Sequence, residues 1–289
     1  MYPIYLTPPV QGFQSHRVLL KMVLSALSVP KFYSTYNADT QERTMTDEKT
    51  LRQRIRGGEV LVALVGSLHT TKSQLADIWA TGLYDYIWID GQHTAFSEDS
   101  FVAYCTAAEE LGIDVQLRIP HTRHAYLVGR YLDLGCSGVL VPEVMEMETV
   151  DDAVAYTYYP QIGRRSWGGA ERRGMLGVAQ DMDRLAYAAW WNDYAILSIQ
   201  VESVEAVTNI RKLAKPGVSV VTFGPNDLTF NMEGHVEYPL ASVDDCMRNV
   251  AAQLDGTGIR LAMGTVTKPE ERKKYLDMGI TLFQGAAPA

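Results

Sequence analysis

The chain has 289 residues, is 47% apolar and carries a formal charge of −8, with its acids scattered rather than gathered in a tail. That length admits two ordinary domains or one large α/β barrel, and the apolar content suffices for a real core. The charge and the absence of a dense Lys/Arg patch argue against nucleic acid or an anionic membrane as partner, and no apolar run reaches the ~20 residues of a bilayer span.

Residues 1–48 are rich in Pro, Tyr, Ser and Thr and show no strand–helix alternation, so they are expected to be an N-terminal extension to a domain over 49–289. Within the extension, Val18–Val29 resembles a short signal-peptide core, but Lys21 interrupts it and no clean cleavage site follows. A first helix is expected over Lys49–Arg56, capped by Thr46 and stopped at Gly57-Gly58.

Regular alternation follows. "VLVALVGS" (60–67) reads as a buried strand, then "TKSQLADIWATG" as a helix; "YDYIWIDG" (84–91) is a second strand, then "SEDSFVAYCTAAEELG" a capped helix ending at Gly112. "DVQLRIP" (114–120) precedes the helix "HAYLVGRYLDLG", and "SGVLVPEV" (137–144) the helix "METVDDAVAYTYY". A long Arg- and Gly-rich connection leads to the strand "YAILSIQVE" (194–202) and the helix "SVEAVTNIRKLA"; the strands "VSVVTFGP" (218–225), "IRLAMGTV" (259–266) and "ITLFQG" (280–285) complete the set. Near-continuous apolar strands between helices mean a parallel sheet, and eight of them predict a (β/α)8 barrel. An open doubly wound sheet is disfavoured, because no G-x-G-x-x-G follows an early strand.

Cys105, Cys136 and Cys246 are few, far apart and set in apolar surroundings. They read as reduced core residues of a cytoplasmic protein rather than a disulfide framework or a structural zinc site.

In a barrel, chemistry gathers where the strands end. Those ends carry Ser67 and His69; Asp90, Gln92 and His93; Arg118; Pro142 and Glu143; Gln200 and Glu202; Gly224, Asn226 and Asp227; and Thr265. Gln200 and Glu202, two apart on one strand, share a face. Glu202 and Asp227 come from neighbouring strands at similar height, and two such acids repel unless protonated, hydrogen-bonded or joined by a cation. With open positions they suit Mg²⁺ or a similar hard divalent ion; the plainer account is that each caps a helix or pairs with an Arg. Arg118, apolar on both sides, needs an anionic partner, either a structural acid or a bound substrate. "GPND" offers N–H groups at a helix start, a ready carboxylate site.

Taken in order, "DYIWIDGQH", "LRIP", "YLDLGCSGVLVPEV", "YYPQIGRRSWGG", "IQVES" and "FGPNDL" resemble the HpcH/HpaI family of metal-dependent pyruvate aldolases over roughly residues 49–285. The resemblance implies a (β/α)8 barrel of the phosphoenolpyruvate/pyruvate-binding type. It implies that Glu202 and Asp227 bind a divalent cation (Mg²⁺, Mn²⁺ or Co²⁺) and that Gln200, Gly224, Asn226, Asp227 and Arg118 bind a 2-keto acid. His93 would move the proton, assisted by Asp133 of the "LDxG" motif from a neighbouring subunit, which requires a homo-oligomer, commonly a hexamer (a trimer of dimers). The implied activity is reversible cleavage of a 4-hydroxy-2-keto acid into pyruvate or a related 2-keto acid plus an aldehyde, through a metal-stabilised enolate.

Three departures from the pattern stand out. Gln92 replaces the family's usual Glu before the His, "QGAAPA" ends the sequence where a last helix is usual, and His69, Trp167 and Glu143, expected near the mouth, have no family role. Two alternatives therefore accompany the aldolase reading: an oxaloacetate decarboxylase using the same chemistry, and a non-catalytic barrel scaffold.

Overall fold

Strands covered by helices on one side and closed around a packed interior on the other bury both faces, which is why they read as unbroken apolar runs. The computed structural model describes residues 49–169, 171–266 and 268–286. Within them the strands are β1 (Leu61–Val65), β2 (Tyr86–Asp90), β3 (Val115–Arg118), β4 (Gly138–Val141), β5 (Ile196–Val201), β6 (Val220–Phe223), β7 (Arg260–Thr265) and β8 (Ile280–Gly285). Each pairs in parallel with the next and β8 returns to β1, so the expected (β/α)8 barrel is the fold. The extension over 1–48, the Val18–Val29 segment and Thr46 lie outside the described residues, as does anything that would follow Ala286.

The outer layer is α1 (Leu51–Arg56), α2 (Lys72–Trp79), α3 (Glu98–Glu110), α4 (Val128–Leu132), α5 (Met147–Thr157), α6 (Arg184–Tyr194), α7 (Val204–Leu213), α8 (Pro225–Glu233), α9 (Val243–Leu254) and α10 (Pro269–Leu276). The N-cap of α1 is Thr50, not Thr46: its hydroxyl accepts from the Gln53 N–H and the Gln53 side chain answers the Thr50 N–H, a reciprocal capping box. The helix expected after β3 is divided into a 3-10 turn (Thr122–Leu127) and the short α4. None of the described helices is long and apolar enough to cross a membrane.

Two cores result. Inward-facing Leu61, Ala63, Tyr86, Trp88, Leu140, Ile196, Val220, Ala262 and Leu282 fill the barrel, and α1 closes its foot with Leu51 and Ile55. The larger core lies between strands and helices and includes all three cysteines, free and buried as expected. Trp191 of α6 anchors one side of it: fully buried, it donates its indole N–H to the Thr157 carbonyl at 2.9 Å and packs beneath the Arg165 guanidinium at 4.4 Å. Trp191→Ala is expected to lower the unfolding free energy by about 3–5 kcal/mol, the usual range for emptying a buried aromatic site, and Trp191→Phe by clearly less. Urea unfolding followed by circular dichroism measures both.

Candidate active site

The parallel register sets Asp90 opposite Arg118 at the ends of β2 and β3. Residues so paired point to one face, and the guanidinium grips the carboxylate twice, Nε to Oδ1 at 2.9 Å and Nη2 to Oδ2 at 2.6 Å. The partner Arg118 requires is thus Asp90. Arg118 also lies over the Trp88 ring at 5.1 Å, while its Nη1 makes no hydrogen bond among the described residues. Burial opposes the Asp90 charge, but Arg118 and the backbone N–H groups of Gln92 and His93 prevail and hold its carboxyl below the usual range. Those two N–H groups both donate to Asp90 Oδ1, so the acid fixes the loop that carries His93. Gly91 sits inside that loop because a Cβ there would come within 2.7 Å of the Arg118 carbonyl oxygen.

The second centre is Glu202, just past β5 and 7% exposed. Gln200 Nε2 donates to its Oε2 at 2.8 Å, as two residues sharing a strand face allow, and the Glu143 N–H donates to its Oε1 at 2.6 Å. Gly224 closes over this pair: a Cβ would meet Glu202 Oε2 at 2.4 Å and Gln200 Nε2 at 2.7 Å. Burial pushes the Glu202 carboxyl up to about 7, with the charges of Asp227 and Glu143 adding to the effect and the Glu143 N–H and Arg118 resisting it. Asp227, in the first turn of α8 beside Asn226, is exposed at the mouth.

The strand ends therefore bring Asp90, Gln92, Arg118, Glu143, Gln200, Glu202, Gly224 and Asp227 into one electrostatic and hydrogen-bonded neighbourhood. His93 and His69 are exposed on mouth loops, and neither imidazole is hydrogen-bonded among the described residues. Two expected residues are elsewhere in the chain. Asp133 follows α4 at the foot of the barrel, where the buried Arg165 holds it at 2.6 Å, so within one chain it is at the opposite end from His93. Trp167, expected at the mouth, belongs to the connection between α5 and α6, which leaves the foot; there it packs on Tyr159 and Tyr187 and under Arg172. Glu143 is at the mouth as expected, and it joins the site through contacts that sequence spacing does not announce, its N–H to Glu202 and its carboxylate to Gln92.

A hard divalent cation suits this donor set. Glu202 carries a carboxyl whose charge burial and two neighbouring acids disfavour, and Arg118, already paired, relieves it only in part. Gln200 Oε1 is buried with no partner. Among the described residues no group of three or more His, Cys, Asp or Glu is placed to hold a metal ion, so protein side chains alone do not complete a cage, and hard divalent ions accept water and substrate oxygens as further ligands.

The raised carboxyl has a consequence for stability. Below about pH 4.5 both folded and unfolded chains hold the Glu202 proton; above it the unfolded chain releases first, so this contribution to stability is full at low pH and lost as pH rises through about 7. In chelator-treated protein, Glu202→Gln should be more stable than the parent at pH 8 by up to about 3 kcal/mol, and the difference should shrink towards pH 4.5. Urea titrations at the two pH values check the sign and the window.

Comparison with known proteins identifies the family and agrees with the fold. The family described as HpcH/HpaI aldolase/citrate lyase matches residues 68–287. A hydroxypyruvate/pyruvate aldolase from Cupriavidus necator is 30% identical over 214 residues, covering 72% of this chain and 75% of the relative. A 5-keto-4-deoxy-D-glucarate aldolase from Escherichia coli O157:H7 is 27% identical over 201 residues, covering 68% and 75%. The crystal structure of an HpcH/HpaI aldolase from Desulfitobacterium hafniense superposes with a TM-score of 0.68 at 27% identity, over 82% of this chain and 90% of that one. The chain belongs to the HpcH/HpaI aldolase/citrate lyase family and is an enzyme of the aldolase class.

Proposed function

We propose that the enzyme is a divalent-metal-dependent aldolase that reversibly splits a 4-hydroxy-2-keto acid into a 2-keto acid, pyruvate or hydroxypyruvate, and an aldehyde. The observation that carries this reading is the buried Glu202 carboxyl, raised to about 7 beside Asp227 and close under Gly224. The donors rest on the chemistry named for the Cupriavidus necator relative. Membership of an aldolase family sets the scaffold alternative aside, and no feature of the site favours a decarboxylase over an aldolase.

Glu202 and Asp227 would hold the cation, which supplies Lewis-acid polarisation of the keto group and offsets negative charge developing there. The remaining work falls to the chain. In the first turn of α8, the N–H groups of Asn226 and Asp227 lack intrahelical partners and would bind the substrate carboxylate. Arg118, oriented by Asp90, would direct its free Nη1 to the keto oxygen, and Gln200 would line the pocket. In the synthetic direction His93 takes a proton from C3, C3 bonds to the aldehyde carbon, and the aldehyde oxygen takes up a proton as a hydroxyl; cleavage reverses these steps. Asp133 of a neighbouring copy would orient His93, which makes a homo-oligomer part of the proposal.

Exchange of the pyruvate methyl protons for deuterium, followed by NMR, tests the first half-reaction without knowledge of the aldehyde. It should require Mg²⁺, Mn²⁺ or Co²⁺, stop on chelation, and fall to the metal-free level in Glu202→Ala and in Asp227→Ala. Full exchange in either variant removes that residue from the ligand pair; a panel of aldehydes then identifies the acceptor.

A further inference from the structure

Among the described residues, Glu143 is the one non-glycine with a positive φ, at 50°. A left-handed backbone is costly for a residue with a long side chain and persists where surrounding contacts impose it. Here two contacts do so, and they run to different parts of the site. The Glu143 N–H donates to Glu202 Oε1 at 2.6 Å, and the Glu143 carboxylate accepts from Gln92 Nε2 at 3.1 Å. The next residue ties the turn to β5, the Val144 N–H reaching the Gln200 carbonyl at 3.3 Å. Glu143 is thereby a bridge between the loop carrying His93 and the strand end carrying Glu202.

The side-chain contact has a direction. A carboxylate can only accept, so it selects the Gln92 amide nitrogen and turns Gln92 Oε1 the other way, where it is buried without a partner. A glutamate at position 92 would instead set two carboxylates face to face at hydrogen-bond distance.

We propose that Glu143 is a positioning residue of the aldol reaction, acting through Gln92 to hold the His93 loop against the Glu202 end of the site, so that Gln92 and Glu143 form a matched amide–carboxylate pair. The proposal rests on the functional reading above for its kinetic test and on the geometry alone for its structural one. Glu143→Asn is the discriminating variant: Asn tolerates the left-handed backbone and keeps the N–H bond to Glu202, but is one methylene too short to reach Gln92.

The experiment measures pyruvate proton exchange, Mn²⁺ binding by calorimetry, and amide hydrogen exchange over residues 90–96. In Glu143→Asn, turnover should fall about tenfold, the lower end for a bond to a charged group, while KM for pyruvate and Kd for Mn²⁺ stay within about threefold. Gln92→Glu should show a similar loss, and the exchanged pair Gln92→Glu with Glu143→Gln should recover to within about threefold of the parent. Amides of the His93 loop should exchange faster in both single variants and return to parental protection in the exchanged pair. The proposal is overturned if Gln92→Glu matches the parent, if the exchanged pair is no better than Gln92→Glu, or if Mn²⁺ affinity falls in step with turnover in Glu143→Asn. Should the parent itself show no metal-dependent exchange, the aldolase reading fails instead. Loop protection then decides this inference, and a Glu143→Asn loop as protected as the parent's overturns it.

Discussion

The site depends on a carboxylate forced out of water among other carboxylates. Glu202 is placed by β5, enclosed by Gly224 and crowded by the charges of Asp227 and Glu143, and its carboxyl rises to about 7 as a result. No local preference of the chain favours this arrangement. The closed barrel imposes it, because parallel ladders fix the heights at which neighbouring strands release their last side chains. Donors nearby limit the cost: the Gln200 amide, the Glu143 N–H and, at longer range, Arg118.

The second acid of the network meets the opposite fate for an intelligible reason. Asp90 is also partly buried, yet it has a guanidinium on both oxygens and two backbone N–H donors, and its carboxyl is held down. Two carboxylates in one barrel mouth are thus shifted in opposite directions, Asp90 kept as a fixed anion that orients Arg118 and the His93 loop, Glu202 left short of positive charge. Divergence of this kind is what separates structural from chemical roles in a shared site.

Most of the fold was legible because parallel strands announce themselves as short apolar runs, and all eight do so here. The connection before β5 was not: "RLAYAAWWNDY" is a helix, α6, but Arg- and Gly-rich sequence around it masks its periodicity. In the site, period-two spacing sufficed to place Gln200 beside Glu202, and the apolar setting of Arg118 showed that it needed an acid. Naming Asp90 as that acid took the β2–β3 register. Trp167 was misplaced for a topological reason, since a connection leaving a helix rather than a strand starts at the foot. Glu143 was expected near the mouth, but its partners were not legible, because a backbone N–H to Glu202, a dihedral angle and a side-chain bond to Gln92 across the mouth have no signature in sequence spacing.

Gln92 shows how these levels meet. Read alone, it is the loss of a carboxylate beside His93 and a reason to doubt the chemistry. In the fold, a carboxylate faces it from the turn after β4, and the pair keeps one acid and gains a directed hydrogen bond. A glutamine there is therefore what an acid at 143 requires, since two ionised side chains at that distance would repel and free the loop they should hold. The substitution and its neighbour belong to one electrostatic solution, and the negative charge at the mouth moves from the end of β2 to the end of β4 rather than being lost.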